Sequence, residues 1–169
     1  MLRFLTAGES HGKNLTVIVE GIPANLSISE EFIERHMARR QVGYGRGGRM
    51  QIEKDRAEIL AGVRHGLTLG SPISMQIVNR DFTTGKGPDG VPWVDEMNVS
   101  PSEIPFEPIT NIRPGHADMP GIAKYMQTDA RNILERSSAR ESAARVAAGA
   151  LAQRFLEEFG IEVHGHVLC

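Results

Sequence analysis

The 169 residues contain a single cysteine, Cys169, and a single tryptophan. One thiol builds no internal disulfide framework and no cysteine-based zinc site. No apolar run approaches the roughly 20 residues that a membrane-spanning helix requires. Residues 1–20 lack the basic, apolar, small-residue order of a signal peptide, so the expected location is cytoplasmic, with no membrane partner. Internal repeats and low-complexity tracts are missing too. Lysine is scarce: of 19 basic residues, 15 are Arg and 4 are Lys. Arginine offers a rigid fork of donors that matches carboxylates and phosphates, whereas lysine is a mobile point charge. The rest is ordinary for a folded protein, with 40% hydrophobic residues, 24% charged residues and a net charge of −2. Such proportions exclude wholesale disorder, and the length fits one domain or a piece of a larger one.

The local patterns point to an α+β chain. Residues 15–20 (LTVIVE) are rich in β-branched side chains and stop at Gly21-Ile22-Pro23, which reads as a strand. Ser29 opens a helix with Glu30 and Glu31 in its first turn, where negative charge suits the helix dipole. Phe32, Ile33, His36 and Met37 recur at helical spacing up to Arg39-Arg40. Residues 50–53, 58–63 and 73–78 read as short strands joined by tight turns, hence as antiparallel sheet rather than βαβ units. Seven of nine prolines fall between Pro88 and Pro120, so residues 83–108 read as a long connection. Helix character returns near Gly121 and strengthens after Ser138, where Ser138 and Glu141 have capping-box spacing. The small residues of 143–152 let another element approach that helix closely, and Gly160 suits its end. Residues 161–167 then alternate as a strand would, and a chain stopping there reads as the N-terminal portion of something longer.

Four segments carry candidate chemistry. Gly8-Glu9-Ser10-His11-Gly12 places a proton-exchanging imidazole between glycines, where backbone approaches a ligand closely. Arg39-Arg40 followed by Gly43, Tyr44, Gly45, Arg46, Gly47, Gly48 and Arg49 makes an anion cradle of amides and guanidiniums. It is no P-loop, because Gly-Lys-Ser/Thr is missing, and Tyr44 alone gives little base stacking. Arg113-Pro114-Gly115-His116-Ala117-Asp118 sets a guanidinium and an imidazole across a turn, with Asp118 able to orient the ring. Arg136-Ser137-Ser138-Ala139-Arg140-Glu141 puts hydroxyls and two arginines at a helix start. Of six histidines, only His164 and His166 are close in sequence, and no metal site is expected.

GESHG, RRQVGYGRGGRM, RPGHAD and RSSARESAARVAAGA, in this order over residues 1–160, resemble the chorismate synthase family. That resemblance implies a β-α-β sandwich: antiparallel sheets enclosing central helices, here as residues 1–169 of the N-terminal half. It implies a 1,4-anti elimination of phosphate from 5-enolpyruvylshikimate 3-phosphate, giving chorismate at the last step of the shikimate pathway. Reduced FMN is required without net redox change and donates an electron transiently. His11 matches the acid near the leaving phosphate, and His116 the group balancing charge on the flavin. Arg40, Arg46, Arg49, Arg113 and Arg140 match the substrate pocket. Arg136, Ser137 and Ser138 match the FMN segment, while Arg40 and Arg46 match NADPH contacts in bifunctional members. The resemblance further implies a homotetramer and a small anionic substrate rather than nucleic acid. The family pattern continues into a second half with further flavin contacts, so residues 1–169 alone are expected to bind FMN poorly and to be inactive. Rival readings are an RNA-binding Arg/Gly module, a flavodoxin-like carrier and a flavin-free phosphosugar isomerase or lyase.

Overall fold

The structure is a computed structural model, and it describes residues 1–42, 54–83 and 107–166. The expected strand 50–53, the glycine-rich stretch with Tyr44, Arg46 and Arg49, most of the proline-rich connection, and Cys169 lie outside the described residues.

Strands β1 (Arg3–Ala7), β2 (Asn14–Glu20), β3 (Glu58–Ala61) and β6 (Ile73–Val78) form one sheet in the order β1-β2-β6-β3. Every pairing is antiparallel. Between β3 and β6 the short ribbon β4 (Val63–Arg64) and β5 (Leu67–Thr68) turns back on itself. The expected strand 58–63 is thus two strands. Its ladder to β6 slips between Ile59 and Ala61, and the chain leaves the sheet at Gly62.

Period-two alternation decides which face of the sheet is dry. Leu15, Val17 and Val19 on β2 stand opposite Ile77, Met75 and Ile73 on β6, and all six are buried. Two helices cover that face. Helix α1 (Glu30–Gln41) starts at Ser29, whose hydroxyl accepts from the Phe32 amide, and it buries Ile33 and Met37. Beyond β6 lies the single-turn helix α2 (Arg80–Thr83); α3 (Asp118–Tyr125) and α4 (Arg131–Leu134) follow, then a 3-10 turn (Ala139–Glu141) and α5 (Ser142–Glu157). Helix α5 packs on α1 and across β2. Ala143, Ala144, Ala147, Ala148 and Ala150 are buried with Leu151, so methyl-sized side chains bring α5 close to its neighbours. The close approach expected of this alanine-rich helix is the observed one, against α1 and one face of the sheet.

Two expectations at its ends fare differently. Gly160 closes α5 in the left-handed conformation, with Ile161 N–H donating to Leu156 and Gly160 N–H to Glu157. The strand expected at 161–167 is not formed over 161–166. Ile161 and Val163 are about half exposed, and no described strand pairs with the segment. Alternation alone makes no strand without a ladder partner.

Candidate active site

The loop after β1 carries Ser10 and His11. Gly8 opens it at φ 103°, and a Cβ there would press into the backbone of Asn14 and Leu15, so the tight departure needs glycine. Ser10 N–H donates to the Glu135 carbonyl at 3.0 Å, which pins the loop to the segment after α4. The Glu135 carboxylate then faces the loop. It lies 2.9 Å from His11 Nδ1, accepts from His11 N–H at 2.9 Å and accepts from the Ser10 hydroxyl at 2.7 Å. Burial opposes ionisation of Glu135, but the bonds from His11 and Ser10 outweigh it, and the carboxyl sits below its ordinary range. An ionised carboxylate only accepts, so Nδ1 carries a proton toward Glu135.

Below this loop lies a buried charged network. The Asn79 amide, following β6, donates to the carbonyls of Glu9 and Gly12 at 3.0 and 2.7 Å. Its carbonyl accepts from Arg140 Nε at 2.9 Å. Arg140 Nη1 is bonded to Asp55, and the other Asp55 oxygen accepts from Arg40 Nη1 at 3.0 Å. Arg40 also donates to the Ser142 hydroxyl and the Ala139 carbonyl, where the 3-10 turn runs into α5. Two guanidiniums therefore share the Asp55 carboxylate beneath the His11 loop.

Arg136 clamps the same region from the other side. It donates to the carbonyls of Thr6 and Gly8 and to the Thr6 hydroxyl, and it reaches Glu141 at 3.3 Å. Glu141 also accepts from Thr6 and Arg145. The expected capping box is therefore half formed. Ser138 accepts from the Arg140 amide, but Glu141 bonds outward to side chains rather than back to the helix start. Ser137 is exposed.

The RPGHAD segment forms its own cluster at the start of α3. Asp118 is fully buried; it accepts from Arg113 N–H at 3.0 Å and Arg113 Nε at 3.3 Å, and it binds His116 Nδ1. With Nδ1 turned to the carboxylate, His116 Nε2 lies 3.2 Å from Arg113 Nη2. Burial works to raise the pKa of Asp118, yet the Arg113 amide, His116 and the Arg113 side chain together hold it down at about 2. The expected turn and the orienting role of Asp118 are both present.

The structure thus brings His11, Arg40, Arg136, Ser138 and Arg140 into one connected region. Arg113 and His116 sit in a second cluster, joined to the first through packing of α3 on α4, which runs directly into Glu135. Arg46 and Arg49 lie outside the described residues. Glu135, Asp55 and Asn79 are the functional candidates the sequence patterns do not reveal. A separate cleft of about 310 Å³ beside the start of α1 holds Glu30, Glu31, Glu34 and Glu58 against Lys54, Arg56 and Arg80, a mixture favouring no anion. Among the described residues no helix is long and apolar enough to cross a membrane.

Comparison with known proteins agrees with this arrangement. The chorismate synthase family model matches residues 2–169. The chorismate synthase of Aquifex aeolicus is 61% identical over 99% of this chain and 40% of its own length. That of Gloeobacter violaceus is 57% identical over 99% of this chain and 43% of its own length. A crystal structure of chorismate synthase superposes with a TM-score of 0.67 at 50% identity, covering 95% of this chain and 35% of that one. The chain therefore spans about two fifths of the length of the relatives it matches. With an antiparallel sheet, helices packed on one face and the four motifs in order, the chain belongs to the chorismate synthase family, as the N-terminal half of its fold.

Proposed function

We propose that the full-length protein is a lyase that removes phosphate and a proton from 5-enolpyruvylshikimate 3-phosphate by 1,4-anti elimination, giving chorismate. The observation that carries this reading is the His11 loop: an imidazole held by Glu135 above the Arg40–Asp55–Arg140 group, where two guanidiniums converge on one carboxylate. The substrate bears a phosphate and two carboxylates, and positive charge placed beside it stabilises the departing phosphate as negative charge builds on its oxygens. As the imidazolium, with Nδ1–H held by Glu135, His11 presents Nε2–H as the proton donor to that phosphate. Arg40 and Arg140 act as one charged unit with Asp55, while Arg46, Arg49 and Arg113 supply further guanidiniums to the carboxylates.

Reduced FMN supplies a transient electron to this chemistry when bound. The donor set of the RSSARE segment fits such an anionic group. Ser137 presents an exposed hydroxyl, the Arg136 side chain is 35% exposed beside it, and Ser138 lies next to both. His116, backed by Asp118, balances the negative charge of the flavin. NADPH contact through Arg40 and Arg46 belongs to a bifunctional member, and Arg40 already spends three nitrogens on Asp55, Ser142 and Ala139. A homotetramer in the cytoplasm is the assembly this reading carries with it. The 169 residues alone bind FMN weakly, because the further flavin contacts belong to the family's second half.

The test is anaerobic incubation of the full-length protein with 5-enolpyruvylshikimate 3-phosphate and reduced FMN. Equal amounts of chorismate and phosphate are expected. Absence of chorismate, together with salt-sensitive oligonucleotide binding, would favour the Arg/Gly module instead.

A further inference from the structure

We propose that Glu135 is the positioning residue of His11, holding Nδ1 so that Nε2 alone serves the substrate. The proposal rests on the reading of His11 as the acid. It deepens that reading by naming a residue that no motif pattern assigns.

The geometry is specific. Both Glu135 oxygens lie 2.9 Å from Nδ1, and one of them also takes His11 N–H and the Ser10 hydroxyl. Three donors from two adjacent residues thus converge on one carboxylate that is itself only 12% exposed. Arg131 stands 3.9 Å away, too far for a strong hydrogen bond, so the nearest cationic partner of Glu135 is the imidazole once it is protonated. A carboxylate so placed fixes the ring plane and the tautomer, as in other carboxylate–histidine pairs. The loop does not depend on the carboxylate for its path, because Ser10 N–H is held by the Glu135 main-chain carbonyl. Side-chain substitutions at 135 therefore leave that tie in place.

The experiment is a double-mutant cycle in the full-length protein with saturating reduced FMN. His11→Ala is expected to lower kcat by on the order of 10²–10⁴. Glu135→Gln, which keeps the shape but removes the charge, lowers kcat by roughly 10–100-fold with KM little changed. In the His11→Ala background, Glu135→Gln costs about twofold or less, because the two residues act as a unit. Glu135→Asp, which keeps the charge at shorter reach, recovers part of the rate; if the Gln variant does not fold, the cycle is run with Asp. A second readout needs no turnover: once the ring has lost its second proton at high pH, the ¹⁵N resonances of His11 in the flavin-free protein show the Nδ1–H tautomer in wild type and a mixture of tautomers in Glu135→Gln. Equal losses in both backgrounds, or a wild-type rate in Glu135→Gln while His11→Ala is slow, would overturn the proposal and leave the proposed function standing. A wild-type rate in His11→Ala removes the acid itself, and this proposal with it.

Discussion

At the scale of single residues, Asp118 shows how burial and bonding set a charge. Its carboxyl, ordinarily near 3.8, is held at about 2, so the folded state binds its proton less readily than the unfolded state. A depressed acid stabilises the fold above its unfolded value and loses that contribution as pH falls through the folded one. The gap in thermal stability between wild type and Asp118→Asn should therefore be constant above about pH 4 and close towards pH 2. Melting curves across pH 2–6 check this; a gap unchanged down to pH 2 would contradict it. Asp118 was legible in the sequence, because its partners Arg113 and His116 lie within five positions. Glu135 was not. Its partner His11 is 124 positions away, and no local period marks a carboxylate that bonds across such a distance. The one signal was its place beside Arg136, an acid heading a segment read only for its basic and hydroxyl groups.

Among the elements, helices α1, α3 and α5 and the central strands were legible from their patterns, whereas the single-turn helices α2 and α4 are too short to show a period. Helix α1 fits its N-cap and its apolar spacing, and Ser29→Ala should cost about 1 kcal/mol of stability, measured by denaturant unfolding. Strand β1 gave no such signal: four of its five residues are exposed, and among the described residues it pairs only with β2. An edge strand takes its structure from its neighbour, in register Phe4–Val19 and Thr6–Val17, rather than from its own pattern. The strand expected after Gly160 fails for the converse reason, a pattern with no described neighbour. The close packing of α3 on α4 depends on Gly121. A Cβ there would overlap the Ile133 side chain, whose Cγ1 and Cδ1 would lie 3.0 Å away. Gly121→Ala should force the helices apart and displace the His116 cluster relative to Glu135. A fall in kcat beyond the loss of folded protein, both measured on the full-length variant, is the expected outcome.

Across the whole molecule, Asp55 joins parts of the chain that the sequence keeps far apart. It binds Arg140, 85 positions on, and Arg40, and through Arg140 and Asn79 it supports the His11 loop. Removing it takes the Asp55 carboxylate away from Arg140, which is 6% exposed. Asp55→Ala should cost roughly 3–5 kcal/mol in unfolding experiments, far more than removal of an exposed ion pair such as Arg3–Glu20, worth about 1 kcal/mol at most. The motifs showed which residues were chemically suited to an anion, but the carboxylate and amide that gather them came from folding. The most direct measurement is the single-turnover rate of phosphate release from 5-enolpyruvylshikimate 3-phosphate, with reduced FMN, in full-length His11→Ala and His116→Ala. Rates lower by on the order of 10²–10⁴ in each variant are predicted; wild-type rates in both would contradict a site built from these two histidines.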